Sequence, residues 1–151
     1  MYVTFLAVHN VLRWVVVVLA VAALLRAYRG WLGKHDWQPA DRKIGAFFAM
    51  SMDLQFLVGL ILYLFLSPLT RPLLQGQMSL VMQNEQLRFF GVEHILLMFL
   101  SVVFVHLGTV LSRRAEQSLV KHRQAAIWFS LAVLALLAGI PWGRPLFPGL
   151  G

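Results

Sequence analysis

The chain of 151 residues contains no cysteine. That excludes disulfides, thiolate metal sites and covalent haem attachment through a Cys-x-x-Cys-His sequence. Acidic residues number six, and all charged residues together make up 13% of the chain. A soluble domain carries about 25%. So few acids leave no carboxylate cluster of the di-iron bundle type. The glycines form no phosphate-binding loop, and neither His-Glu-x-x-His nor Gly-x-Ser-x-Gly occurs. Hydrolytic and nucleotide chemistry lose their usual signatures.

What the chain has instead is apolar sequence: 60% of its residues are hydrophobic and the mean hydropathy is +0.75. The length suits one domain. Four apolar runs predict helices over about 2–28, 44–66, 89–111 and 125–140, the first of them well beyond the roughly 20 residues that a span needs. The fold class expected is an all-α membrane protein, a four-helix up-down bundle of transmembrane segments in a single domain spanning residues 1–151. The first run lacks a basic leader and a small-residue cleavage site before Arg26, so it reads as a retained helix. Asp41 is placed to cap the second helix, and Pro68 and Pro141 end the second and fourth. Between helices two and three, the leucines, methionines and valine of 73–87 predict a short amphipathic helix lying on the membrane surface. No internal repeat is present.

The net charge is +7. Arg26, Arg29, Lys34, Arg42 and Lys43 follow the first helix, and Arg113, Arg114, Lys121 and Arg123 follow the third. Only Arg71, Arg88 and Arg144 fall on the other side, with Arg13 inside a span. Basic loops beside spans are cytoplasmic, so both termini are expected outside. This topology accounts for the charge, and nucleic acid is not expected as a partner. Trp31, Trp37 and Trp142 fall at predicted interfaces, where indole rings anchor spans.

Ionisable residues within spans are costly and face a partner, a cofactor or a water-filled cavity. Here they are His9 and Arg13 in helix one, Asp53 in helix two, and Glu93, His94 and His106 in helix three. His9 and His94 lie at similar depth, because both helices run inward and each histidine is about one to two turns from its outer end. Helices one and three are diagonal in an up-down bundle, so two imidazoles facing across the core are a candidate axial pair for haem iron. His9 and His94 are thus candidate metal ligands, and Arg88, near the outer surface, is a candidate for the propionates. Arg13 is a turn deeper and suits Glu93 or Asp53. The competing expectation is structural: the buried polar groups pair with one another and set helix register. His106, about 120° round the helix from His94, is expected to meet a backbone carbonyl or a head group. His35 and His122 are expected to be solvated in the basic loops. Gln55 and Gly59 share a stripe with Met52, which predicts close helix approach and a hydrogen bond across it. Met50, Met52 and Met98 read as ordinary lipid- or core-facing residues.

The sequence His9-Asn-Val-Leu-Arg13-Trp14, with Asp41-Arg-Lys-Ile-Gly45, Gln55-x-x-x-Gly59, Ser67-Pro68, Arg88-Phe, Glu93-His94, Lys121-His122 and Ile140-Pro-Trp142, resembles a family of small four-helix bacterial membrane proteins. These come chiefly from Bacteroidetes and their relatives and carry the label cytochrome b. The resemblance covers nearly the whole chain and matches at His9, Arg13, Gln55, Glu93, His94 and His122, but not at His106. It implies a haem b electron carrier of the bacterial inner membrane, associated with a respiratory chain and with quinone as a redox partner; His9, His94, Arg13 and Arg88 would form the cofactor site. The alternative is a cofactor-free accessory subunit of a larger membrane complex or a homo-oligomer embedded in the bilayer. A proton or ion pathway through Arg13, Asp53, Glu93 and His94 is a third reading, weakened by the plain Val/Leu/Ala of 15–25.

Overall fold

A computed structural model describes residues 1–143; Arg144, assigned above to the outer side, lies outside them. Seven α-helices follow in order: α1 (Tyr2–Leu32), α2 (Pro39–Ile61), α3 (Arg71–Leu74), α4 (Met78–Gln83), α5 (Glu85–Arg88), α6 (His94–Arg114) and α7 (Ser118–Gly139). The described residues contain no strand. Four helical segments are long and apolar enough to cross a membrane: Tyr2–Leu32, Pro39–Leu66, Glu85–Arg114 and Ser118–Gly139. Helix α1 packs along α2 and α7, and α6 along α7 and α2. This ring leaves α1 and α6 as the diagonal pair. One end of the bundle carries the start of α1, the 67–88 segment and the end of α7, and is called the terminal end below. The other carries the basic loops.

All four spanning segments run beyond the limits that hydropathy sets. Helix α1 continues to Leu32, α2 starts at Pro39 and α7 starts at Ser118, five to seven residues earlier than expected for the latter two. Hydropathy marks where a helix is apolar, whereas Arg, Ala, Lys and Gln are good helix formers wherever they lie. Asp41 is accordingly not the N-cap of α2 but its third residue. Its Oδ2 accepts from the Gln38 main-chain N–H at 2.8 Å, with Pro39 at the first helical position, where its missing N–H costs nothing.

The core is built from small residues on two helices and large ones on the others. Ala20, Ala23 and Ala27 of α1, with Ala125, Ala126 and Ala132 of α7, are all buried, and such residues let helices approach closely in a bilayer. Phe48, Met52 and Val105 fill the space opposite, with Phe129 edge-on to Phe48 at 5.6 Å between centroids. Ser101 of α6 donates to the Ala132 carbonyl of α7 at 2.8 Å, deep in the bundle. Its hydroxyl would otherwise be an unsatisfied polar group in an apolar interior.

The 67–88 segment is not one amphipathic helix but three short ones. Gly76, at φ 78, separates α3 from α4, in a conformation that side-chain-bearing residues resist. Asn84 separates α4 from α5 and caps the latter, accepting from the Leu87 N–H at 3.0 Å. Leu74, Met78, Leu80 and Met82 stay exposed, while Val81 is fully buried. Two π-helical turns complete the terminal end, Leu62–Leu66 after α2 and Phe89–Glu93 before α6. The Tyr63 hydroxyl of the first donates to the Gly91 carbonyl of the second at 2.8 Å.

Candidate functional site

The π turn at Phe89–Glu93 inserts one extra residue into the helical repeat and so sets the direction in which His94 leaves α6. His94 lies across the bundle from His9 of α1, with ring centroids 6.3 Å apart and planes at 72°. The diagonal pairing expected from depth alone is therefore present. His94 Nδ1 is 2.7 Å from the Gly139 carbonyl oxygen at the end of α7. A carbonyl only accepts, so Nδ1 carries the proton, and in a neutral ring Nε2 is then the nitrogen with the lone pair. This is the device by which proteins orient a ligating imidazole. Phe89 and Phe90 each stand 5.9 Å from the His94 ring.

His9 is set from α2. Gln55, buried on the inner stripe, donates from Nε2 to the His9 main-chain carbonyl at 3.0 Å. A Cβ at Gly59 would stand 3.0 Å from His9 Cε1, so the absence of a side chain there makes room for the ring. Both contacts agree with the stripe expected from Met52, Gln55 and Gly59. The Nδ1 of His9 is buried without a hydrogen-bond partner, and so is Gln55 Oε1. Unpaired polar atoms in an apolar interior are unfavourable by about 1–3 kcal/mol each. They mark a place where a further group would be accommodated. A cavity of about 80 Å³ lies here, lined by His9, Gln55, Gly59, Tyr63, Phe90, His94 and Met98 among others.

Arg13 does not pair with Glu93 or Asp53. Glu93 Oε1 accepts from Arg88 Nε at 2.8 Å near the surface, and Asp53 Oδ1 meets His106 Nε2 at 2.8 Å on the outside of the bundle. Glu93 is only five residues from Arg88 across the π turn, which brings the two side chains together more closely than an interhelical reach from Arg13 could. Arg13 is buried, with its guanidinium carbon 5.5 Å from the Trp14 ring centroid and its Nε lacking a partner. A narrow space beside the main cavity is lined by Arg13 together with His9, Asn10, Gln55 and His94. The cation that faces the histidine pair is therefore Arg13, while Arg88 is engaged by Glu93. His106, expected at a carbonyl or head group, is correspondingly the partner of Asp53.

His122 is the residue most misjudged from sequence. Because α7 begins at Ser118 and not near Ala125, His122 sits inside the helix and is 1% exposed. Its ring packs against Gly30 of α1, so closely that a Cβ at Gly30 would collide with it. Trp37 covers it at 4.8 Å between centroids. Asp41 Oδ2 is 4.0 Å from its Nε2, and the same carboxylate accepts from Arg26 Nε at 2.7 Å. Trp37 N–H donates to Ser118 Oγ at 3.0 Å. These contacts join α1, α2, α7 and the first loop at the basic end. His35, by contrast, is exposed as expected.

Whether the His9–His94 pair fits a metal group is decided by donor number and spacing. No group of three or more His, Cys, Asp or Glu side chains is gathered among the described residues. A bare ion such as zinc takes three or four protein ligands, so two imidazoles do not make a site for it. Haem brings its own ring nitrogens and asks the protein for axial ligands only. Metal–imidazole bonds run about 2.0–2.1 Å, and a ring centroid lies about 1.1 Å beyond its nitrogen. Two imidazoles on opposite sides of one ion would thus have centroids about 6 Å apart. The observed spacing is of that size. The cavity is smaller than the roughly 300–1,000 Å³ of a ligand pocket, so admitting a macrocycle requires Phe90, Met98 and their neighbours to turn aside. No family model, no curated protein and no solved structure matches the chain.

Proposed function

We propose that the chain is a haem b electron carrier of the bacterial cytoplasmic membrane, in which His9 and His94 would hold the iron. The observation that carries this reading is the 6.3 Å separation of the two rings across the diagonal of the bundle. The one-electron chemistry is that of the haem iron. The protein's part is to fix the rings, to exclude water and to supply a cation. Gly139 orients His94 through Nδ1, and Gly59 leaves room for His9. Arg13, buried beside the pair with Nε unpartnered, would supply the cation for a propionate, since Arg88 is already engaged by Glu93. With the basic loops in the cytoplasm, the start of α1, the end of α7 and the histidine pair lie toward the outer face. Quinone dissolved in the bilayer is the redox partner this placement suits.

The test is the absorption spectrum of protein purified from haem-replete cells. A Soret band, with α and β bands that sharpen on reduction, supports the reading. His9→Ala and His94→Ala should each abolish them, and His106→Ala should not. Protein purified in good yield with no Soret absorption sinks the proposal. The small size of the cavity favours a second reading, a cofactor-free accessory subunit in which the histidines serve only packing. That reading requires the wild-type spectrum to be featureless in the visible.

A further inference from the structure

Asp53 and His106 occupy the outside of the bundle, each within a spanning segment. Asp53 is near the midpoint of Pro39–Leu66, and His106 lies on the facing helix at the same level, since Nε2 and Oδ1 are 2.8 Å apart. The Asp53 side chain is 48% exposed and that of His106 47%. The residues around them are apolar and exposed: Met50 and Leu57 on α2, Phe99 and Val110 on α6. An acid and an imidazole half open to hydrocarbon are what a membrane protein avoids, because such groups face the bundle interior, a cavity or one another. Pairing answers one side of each group and leaves the other side toward lipid.

We propose that this α2–α6 face is covered by a second copy of the chain, in a two-fold dimer whose centre is the Asp53–His106 pair. Any occupant must present polar groups at the depth of the pair. A second copy does so without further assumption. A two-fold axis along the membrane normal leaves depth unchanged, so each pair meets its own counterpart at its own level. In an isologous interface residue i meets j while j meets i, so with both imidazoles in the doubly protonated form, Nε2 donates to the protomer's own carboxylate and Nδ1 to that of the other protomer. An alternating ring of two acids and two imidazoles results, with Leu57, Phe99 and their neighbours forming an apolar rim. The inference does not depend on any cofactor being bound.

The chain has no cysteine, so single substitutions report cleanly. The experiment is oxidative cross-linking of the full chain in vesicles, with Leu57→Cys on the proposed face and Leu134→Cys on the exposed side of α7 as the reference. Leu57→Cys should form a covalent homodimer, at least fivefold more than Leu134→Cys. Adding Asp53→Leu and His106→Leu, which remove the polar pair and leave a lipid-compatible surface, should reduce that yield at least fivefold while helix content by circular dichroism is unchanged. Equal cross-linking at the two positions, a yield indifferent to removal of the pair, or cross-linking in native membranes only to a different protein would each overturn the dimer.

Discussion

Asp41 accepts hydrogen bonds from two directions, Arg26 Nε at 2.7 Å and the Gln38 N–H at 2.8 Å. One carboxylate thus joins the end of α1 to the start of α2. Asp41 is buried and Arg26 is partly exposed. Arg26→Met removes the charged partner and leaves the acid inside. Loss of about 1.5–3 kcal/mol is expected, the usual scale for a hydrogen bond to a charged group. Thermal unfolding in detergent measures it. Adding Asp41→Asn to that variant should recover part of the loss, since the buried charge then disappears.

Gly30 carries no side chain because the His122 ring takes its place. Gly30→Ala should lower stability by about 1–3 kcal/mol through overpacking, despite the better helix propensity of alanine. A midpoint of unfolding that stays unchanged or rises would mean that His122 moves away at no cost. His122→Ala, in contrast, should be destabilising by leaving a void beneath Trp37.

At the histidine pair, Gly59→Leu should displace His9 and keep the helices. A Cβ there already stands 3.0 Å from the ring, and the longer side chain enters the space itself. On the haem reading the visible spectrum is lost while helix content by circular dichroism is retained. Gly59→Ala needs the ring to move only by tenths of an ångström and should leave the spectrum present but altered. Arg13→Met should retain both histidines and weaken haem retention, whereas Arg88→Met should not.

Tyr63→Phe removes the hydroxyl that holds the Gly91 carbonyl at 2.8 Å. About 1 kcal/mol is the usual net worth of such a bond. The sharper readout is hydrogen exchange: amides of 89–93 should exchange faster, and those of 98–108 should not.

The number of spans, the diagonal relation of helices one and three, and the common depth of His9 and His94 were all legible in the sequence, because each follows from helical rise and hydropathy. The Gln55–Gly59 stripe was legible for the same reason. Which carboxylate pairs with which cation was not. Arg88 reaches Glu93 because a π turn separates them, and a π turn has no sequence signature. Asp53 meets His106 because α2 and α6 are neighbours in the ring, a choice made by packing. His122 was misplaced by reading the end of hydropathy as the end of the helix. Gly30, which receives its ring, looked like a loop residue for the same reason.

Helix α7 makes a contact near each of its ends that involves an imidazole. His122 is held at the basic end, and the Gly139 carbonyl holds His94 at the terminal end. Between them the helix is a rod of about 25 Å, from a rise of roughly 1.5 Å per residue, close to the hydrocarbon thickness of about 30 Å. A rod fastened at both ends does not shorten or shear to follow a thinner bilayer. The bundle meets a change in membrane thickness by tilting as one body or by drawing the lipid to its own length. Acyl-chain length should then change the tilt of the whole bundle and leave the His94–Gly139 contact intact, which vesicles of graded chain length would test.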